Sequence, residues 1–85
     1  LVFDEDAFRD LAWWIIHDPR MARKVMAMIE EVKRSPFSGS GKPEPLRHEL
    51  SGCWSRRINQ EHRIVYQAHK DHIRILACRM HYGKK

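Results

Sequence analysis

Four residues in the second half of the chain have the side-chain types that metal-free cleavage of RNA requires: Glu44, Arg63, His81 and Tyr82. A carboxylate can accept the proton of a ribose 2′-hydroxyl, and a histidine can protonate the departing 5′-oxygen. An arginine can bind the phosphate through two hydrogen bonds, and a tyrosine can stack on a base. Glu44 lies between two prolines in the run GKPEPL (41–46), and because proline fixes its own φ, this loop is stiff enough to orient a general base.

Alternation along the predicted strands indicates which side chains share a face of the sheet. In the run 62–68, Ile64, Tyr66 and Ala68 are expected to face the core, which places Arg63 on the opposite, open face. In the run 53–59 the same reasoning places Arg57 on the open face. Arg56 then starts on the inner side and must reach the rim of the sheet.

The first 34 residues predict a helical hairpin preceded by a short strand at Val2 and Phe3. Asp4 is the expected N-cap of a first helix of about 13 residues, and the chain leaves that helix at Asp18-Pro19. The same pair is expected to begin the second helix, with Asp18 as N-cap. The apolar residues of the first helix recur at helical spacing and predict its buried face: Phe8, Leu11, Ala12 and Ile15.

The remaining residues predict a connecting loop at 35–45, followed by an antiparallel sheet and a C-terminal active-site segment at 46–82. Short polar turns separate four extended runs, 46–50, 53–59, 62–69 and 73–80, which is typical of hairpins. The predicted fold class is therefore α+β in a single domain of 85 residues, with the helical hairpin packed on one face of a twisted, mainly antiparallel four-stranded sheet.

The charge distribution favours a polyanionic partner. The net charge is +5, with −1 in residues 1–40 and +6 in residues 41–85. A basic half-domain attracts nucleic acid by counterion release, although surplus basic residues also serve solubility alone. Five basic residues are predicted to bind RNA in addition to the four site residues: Lys42, Arg47, Arg56, Arg57 and Arg79.

The sequence predicts neither a membrane segment nor a cofactor. No run approaches the ~20 apolar residues of a membrane span, so a cytoplasmic protein is expected. Cys53 and Cys78 are expected to be small buried residues rather than a disulfide. The pairs Cys78-x-x-His81 and His69-x-x-His72 are half-sites for zinc, but residues three apart on a strand point to opposite faces, so no metal is predicted.

Two runs, SPFSGSGKPEPLRHELSGCWSRRINQEHRIVY (35–66) and ACRMHY (77–82), resemble the YoeB (Txe/YoeB) toxins of bacterial type II toxin–antitoxin systems. The resemblance implies the fold of the RelE superfamily and a ribosome-dependent endoribonuclease that cleaves mRNA in the A site. It implies Glu44 as general base, Arg63 as the phosphate-binding residue and His81 as general acid, with Tyr82 organising the site. It also implies RNA contacts for Arg47 and Arg57.

The resemblance further implies the ribosome, mRNA and a YefM-like antitoxin as partners, and a homodimer. Two features depart from the family pattern. Cys53 occupies a position that is usually aromatic, and the chain continues past Tyr82 as Gly83-Lys84-Lys85.

Two other functions use the same fold. A ParE-like toxin would inhibit DNA gyrase and would have no need for the Glu44, Arg63 and His81 set. A non-catalytic RNA-binding module would use the basic face alone and would not arrest growth in a host that lacks the antitoxin.

Overall fold

The computed structural model of this chain describes residues 1–79. Two helices, α1 (Glu5–His17) and α2 (Pro19–Arg34), are accompanied by five strands. The strands are β1 (Val2–Phe3), β2 (Glu44–Pro45), β3 (Trp54–Arg57), β4 (Arg63–Ala68) and β5 (Ile73–Ala77). The α+β class and the helical hairpin are confirmed, and the side chain of Asp18 accepts a hydrogen bond from the Met21 N–H at 3.2 Å as the N-cap of α2.

The prediction of four strands is wrong, because the sheet already has five within residues 1–79, in the order β1-β5-β4-β3-β2. The opening strand β1 pairs in parallel with β5, while every other pair is antiparallel. The predicted strand at 46–50 is also absent. The Leu46 N–H bonds to the Cys53 carbonyl at 2.9 Å, and the chain then forms a 3₁₀ turn at His48–Leu50. The strand before this turn is β2, so the edge of the sheet contains Glu44 itself.

The face that helix α1 buries agrees only in part with the predicted one, since Leu11 packs against the core as expected. Its buried residues are Ala7, Asp10 and Trp14, whereas Phe8 and Ile15 are 65% and 53% exposed. The reason is polar: the Asp10 carboxylate accepts the Cys78 N–H at 3.0 Å, and the Trp14 Nε1–H donates to the Cys78 carbonyl at 2.7 Å. These two bonds satisfy the backbone just after β5, and they turn the apolar face of the helix outward.

The two faces of the sheet carry separate apolar clusters. The larger one lies under the helices and includes Val25, Ile64, Tyr66 and Ile75. A smaller one on the opposite face joins Leu46, Cys53 and Val65. Both cysteines are buried and unbridged, as predicted. In the described part of the chain, neither helix has the length and apolar character needed to cross a membrane.

Candidate functional site

Glu44 and Arg63 meet on the face of the sheet that the helices leave open. Glu44 on β2 pairs with Ser55 on β3, and Arg63 begins β4. The Arg63 Nη1 donates to the Glu44 Oε1 at 3.0 Å and to the Ser55 Oγ at 3.2 Å. The Arg63 side chain is only 13% exposed, whereas the Glu44 side chain is 55% exposed. A partly buried guanidinium thus holds a carboxylate that remains open to solvent.

Ser55 is part of this arrangement, although no sequence pattern predicted a role for it. It is fully buried, and its hydroxyl lies between the edge strand and Arg63. A lone serine in a strand carries no signal in one sequence, because its importance depends on the register between β3 and its neighbours. That register pairs Ser55 with Glu44 on one side and with Val65 on the other. Ser55 therefore fixes where the guanidinium lies beneath the carboxylate.

The loop before Glu44 is fixed by more than its prolines. The Gly41 carbonyl accepts the Arg57 N–H at 2.7 Å, which attaches the loop to the end of β3. Gly41 has φ +82°, and a Cβ at this position would lie 2.8 Å from both the Arg57 carbonyl oxygen and the Met28 Cε. Only glycine allows this close approach. The base candidate is therefore oriented by backbone pairing on both sides of the GKPEPL run.

Three of the predicted RNA-binding residues are exposed. Arg57 lies opposite Arg63 in the register of β3 and β4, so the two side chains leave the same face of the sheet. Lys42 and Arg47 are exposed on the loop residues that precede and follow β2. These positions form a basic margin around the pair of Glu44 and Arg63.

The prediction that Arg56 contacts RNA is wrong, because its side chain has no solvent exposure. Its guanidinium instead holds the 35–40 loop onto the sheet. The acceptors are the Tyr66 hydroxyl at 3.2 Å, the Glu31 carboxylate at 3.1 Å, and the carbonyls of Ser38 at 2.7 Å, Ser40 at 3.4 Å and Ser35. Alternation correctly assigned Arg56 to the inner side, but it does not reach the rim.

Of the remaining predicted residues, only Arg79 lies in the part of the chain that the structure describes. The Arg79 guanidinium lies 3.8 Å from the centroid of the Trp13 ring, so it packs on α1 rather than on the open face of the sheet as predicted. His81 and Tyr82 lie outside the described residues. Within residues 1–79, no three His, Cys, Asp or Glu side chains are grouped closely enough to hold a metal ion.

Comparisons with known proteins decide the family. Residues 3–82 match the model of the YoeB-like toxin of bacterial type II toxin–antitoxin systems. The chain belongs to this family. Toxin YoeB of Mycobacterium bovis is 52% identical over 94% of both chains, and Toxin YoeB of Escherichia coli is 48% identical over 96% of this chain and 98% of its own.

Solved structures of the family have the same fold. A YoeB/ParE toxin from Agrobacterium tumefaciens has a TM-score of 0.90 at 41% identity and covers 95% of this chain and 96% of its own. A YoeB dimer from Staphylococcus aureus has a TM-score of 0.87 at 39% identity, and a YoeB–YefM complex from the same organism has 0.87 at 38%. Both cover 95% of this chain and 94% of their own.

Proposed function

We propose that this toxin is a ribosome-dependent mRNA interferase that cleaves mRNA in the A site without a metal ion. The observation that carries the proposal is the 3.0 Å contact, on the open sheet face, between an exposed carboxylate and an arginine whose side chain is only 13% exposed. A solvated surface pair contributes about 0–1 kcal/mol, which gives little reason to bury one partner in this way. Family membership independently favours a toxin activity at this face.

In the proposed reaction, Glu44 removes the proton from the ribose 2′-hydroxyl, and the resulting oxygen attacks the adjacent phosphorus. The bond to the 5′-oxygen breaks, and His81 gives that oxygen its proton, leaving a 2′,3′-cyclic phosphate and a 5′-hydroxyl. Arg63 binds the phosphate and stabilises its developing charge. Because Arg63 is held by Ser55 from below, it can exchange Glu44 for the phosphate without losing its place. Tyr82 would stack on a flanking base.

The ribosome is proposed to shape the substrate, since an open sheet face does little to align a flexible strand for in-line attack. Programmed ribosomes incubated with the protein should therefore yield new mRNA 5′ ends in the A site, and the same RNA free in solution should be cut far more slowly. Inhibition of gyrase supercoiling without an RNA product would instead support a ParE-like toxin. If the protein yields no RNA product and causes no growth arrest, the remaining function is a non-catalytic RNA-binding module.

An antitoxin and a second copy of the chain are the proposed protein partners. The S. aureus relatives form a YoeB–YefM complex and a YoeB dimer. An acidic antitoxin segment would match the basic margin of the site and would fold as it binds. The outward face of α1 offers apolar area for the dimer, with Phe8, Ile15 and Ile16 all more than half exposed. A cytoplasmic location is proposed with this function.

Ser55→Ala should lower the rate of A-site cleavage by up to about tenfold, the equivalent of one net hydrogen bond of ~0.5–1.5 kcal/mol. The variant removes the hydroxyl that positions Arg63 and leaves the pair of Glu44 and Arg63 present. Single-turnover cleavage on programmed ribosomes measures the effect, and Ser51→Ala in the exposed turn is the matched control. A loss that follows the fraction of unfolded protein, rather than the cleavage step, would show that Ser55 only supports the fold.

A further inference from the structure

A groove runs along one side of α2, on the helical layer rather than on the open sheet face. It consists of two clefts of about 520 Å³ and about 390 Å³, and Lys24 lines both. Five of the helix residues that line it form a stripe at positions 20, 24, 27, 31 and 34, spaced at i, i+4, i+7, i+11 and i+14, and Met21 and Met28 lie beside this stripe. The two clefts meet at Lys24 and together make up the α2 groove, which follows the helix from residue 20 to residue 34.

Four cations line the α2 groove: Arg20, Lys24, Arg34 and Arg57. Within residues 1–79 none of them forms an ion pair. Unpaired cations at this density around a concave surface attract a polyanion. The positive potential of the groove thus remains available to a ligand.

The two carboxylates of the groove are already engaged within the fold. Asp18 caps α2 by accepting the Met21 N–H. Glu31 accepts the Arg56 guanidinium and the Ser40 hydroxyl, and hydrogen bonds from Ser40 lower the pKa of Glu31, with the charges of Arg56 and Arg34 lowering it further. The four cations outnumber these two carboxylates, so the groove keeps a net positive charge.

The second wall of the α2 groove is the loop at 40–41, and it is held in place. The Ser40 hydroxyl bonds to Glu31 on the helix, and the Gly41 carbonyl bonds to the Arg57 N–H on the sheet. Loop ordering is a cost that binding sites meet when the ligand arrives. Here the contacts inside the fold have already ordered this wall.

Arg57 connects the α2 groove to the candidate catalytic face. It lines the larger cleft and also lies opposite Arg63 on the neighbouring strand. Residues paired across antiparallel strands have Cβ atoms about 4.5–5.5 Å apart. A phosphodiester chain bound at Arg63 can therefore reach Arg57 within one nucleotide and continue around the edge of the sheet.

We infer that the α2 groove binds the phosphodiester backbone of the RNA strand that occupies the candidate catalytic face, on the segment flanking the scissile bond. The inference rests on the proposed function, because it takes the RNA beside Glu44 and Arg63 as the ligand. The groove reads no bases, since its cations are positioned for a backbone, and it adds affinity and fixes the direction in which the strand leaves the site.

The test measures RNA binding in a Glu44→Gln background, so that no strand is cut. Fluorescence anisotropy compares an RNA of about 12 nucleotides, about 40 Å long at 3.4 Å per nucleotide, with one of three nucleotides, about 10 Å long. Lys24→Ala/Arg34→Ala should reduce the salt slope for the long RNA by about 1.4, at about 0.7 per contact on a single strand. That corresponds to about 25-fold weaker binding at 0.1 M salt if binding at 1 M is unchanged. Binding of the short RNA should not change.

The matched control is Arg23→Ala/Lys70→Ala, which removes two exposed cations that line neither cleft of the groove. It should leave the salt slope within about 0.3 of the parent, because these two cations do not contact the bound strand. An unspecific positive field would instead make both double variants lose the same slope. An equal loss in both double variants overturns the inference. So does an equal loss for the short and the long RNA, or a loss confined to a polyglutamate probe, which would make the groove a site for an acidic protein.

These outcomes are independent of whether the protein cleaves RNA. If the wild-type protein cuts no mRNA on ribosomes but binds long RNA through Lys24 and Arg34, the proposed function fails and the groove inference stands. If the protein cuts mRNA, and both double variants bind and cleave RNA equally well, the groove inference fails and the proposed function stands.

Discussion

Glu44→Gln should lower the rate of A-site mRNA cleavage by about 10²–10⁴-fold, the usual contribution of a proton-transfer group. Glutamine has nearly the same shape, and its carbonyl oxygen can still accept the hydrogen bond that Arg63 now gives to Glu44 at 3.0 Å. It cannot take up a proton from a 2′-hydroxyl. Single-turnover cleavage of mRNA on programmed ribosomes, with 5′ ends mapped, gives the rate directly.

The matched control for this change is Glu49→Gln, which removes another exposed carboxylate from the same region, in the 3₁₀ turn after β2. It should cleave at the wild-type rate. RNA binding by Glu44→Gln should be equal to or tighter than that of the parent, since one negative charge beside the phosphate is gone. Full cleavage by Glu44→Gln would exclude the carboxylate as the base.

Arg56→Met should lower the free energy of unfolding by about 3–5 kcal/mol, the usual cost of removing one partner from a buried charged network. Methionine fills part of the volume but donates no hydrogen bond. The Tyr66 hydroxyl, the Glu31 carboxylate and three carbonyls of the 35–40 loop lose their common donor. Such a loss is a large fraction of the 5–15 kcal/mol that stabilises an ordinary domain. Urea unfolding followed by Trp fluorescence measures it.

Arg57→Met at the neighbouring position is the reciprocal control. Arg57 is exposed and bonds to Gly41 only through its backbone, so this variant should unfold within about 0.5 kcal/mol of wild type while its RNA binding weakens. Arg56→Lys should recover less than half of the lost stability, because an ammonium group has three donors from one point and cannot span the five acceptors. Wild-type stability in Arg56→Met would contradict the structural role given to this residue.

The sequence was sufficient to place Glu44 and Arg63 at the same face of the sheet, but their direct contact appears only in the structure. Two-residue alternation placed Arg63 on the open face, and the stiff GKPEPL run placed a carboxylate at the margin of that face. It could not supply Ser55, which matters only through the register of β3 against both neighbours. Sequence patterns also placed the edge strand at 46–50, because the residues around His48 carry little turn propensity. The turn there is closed by backbone hydrogen bonds that only the structure shows.

Apolar periodicity also predicted that Phe8 and Ile15 of α1 face the core, whereas both are exposed. The pattern of Phe8, Leu11, Ala12 and Ile15 satisfies the helical rule as well as the buried set does, so apolar spacing alone could not choose between the two faces. The choice was made by Asp10 and Trp14, whose polar groups bond to the backbone of Cys78, 68 and 64 residues away in the sequence. Bonds of such long range leave no local signal.

The sequence by itself determined the two helices, the hairpin order of the later strands and the face on which Arg63 lies, because local propensity and alternation act over a few residues. Its motif runs also identified the family. Only the tertiary structure decided which of two adjacent arginines is buried and which is free, since the 35–40 loop had to close over Arg56 to supply its acceptors. It also decided that the basic surface includes α2. Charge counted along the chain assigned the surplus of basic residues to residues 41–85. Three of the four groove cations nevertheless precede residue 41, and the fold gathers them with Arg57 into one basic surface.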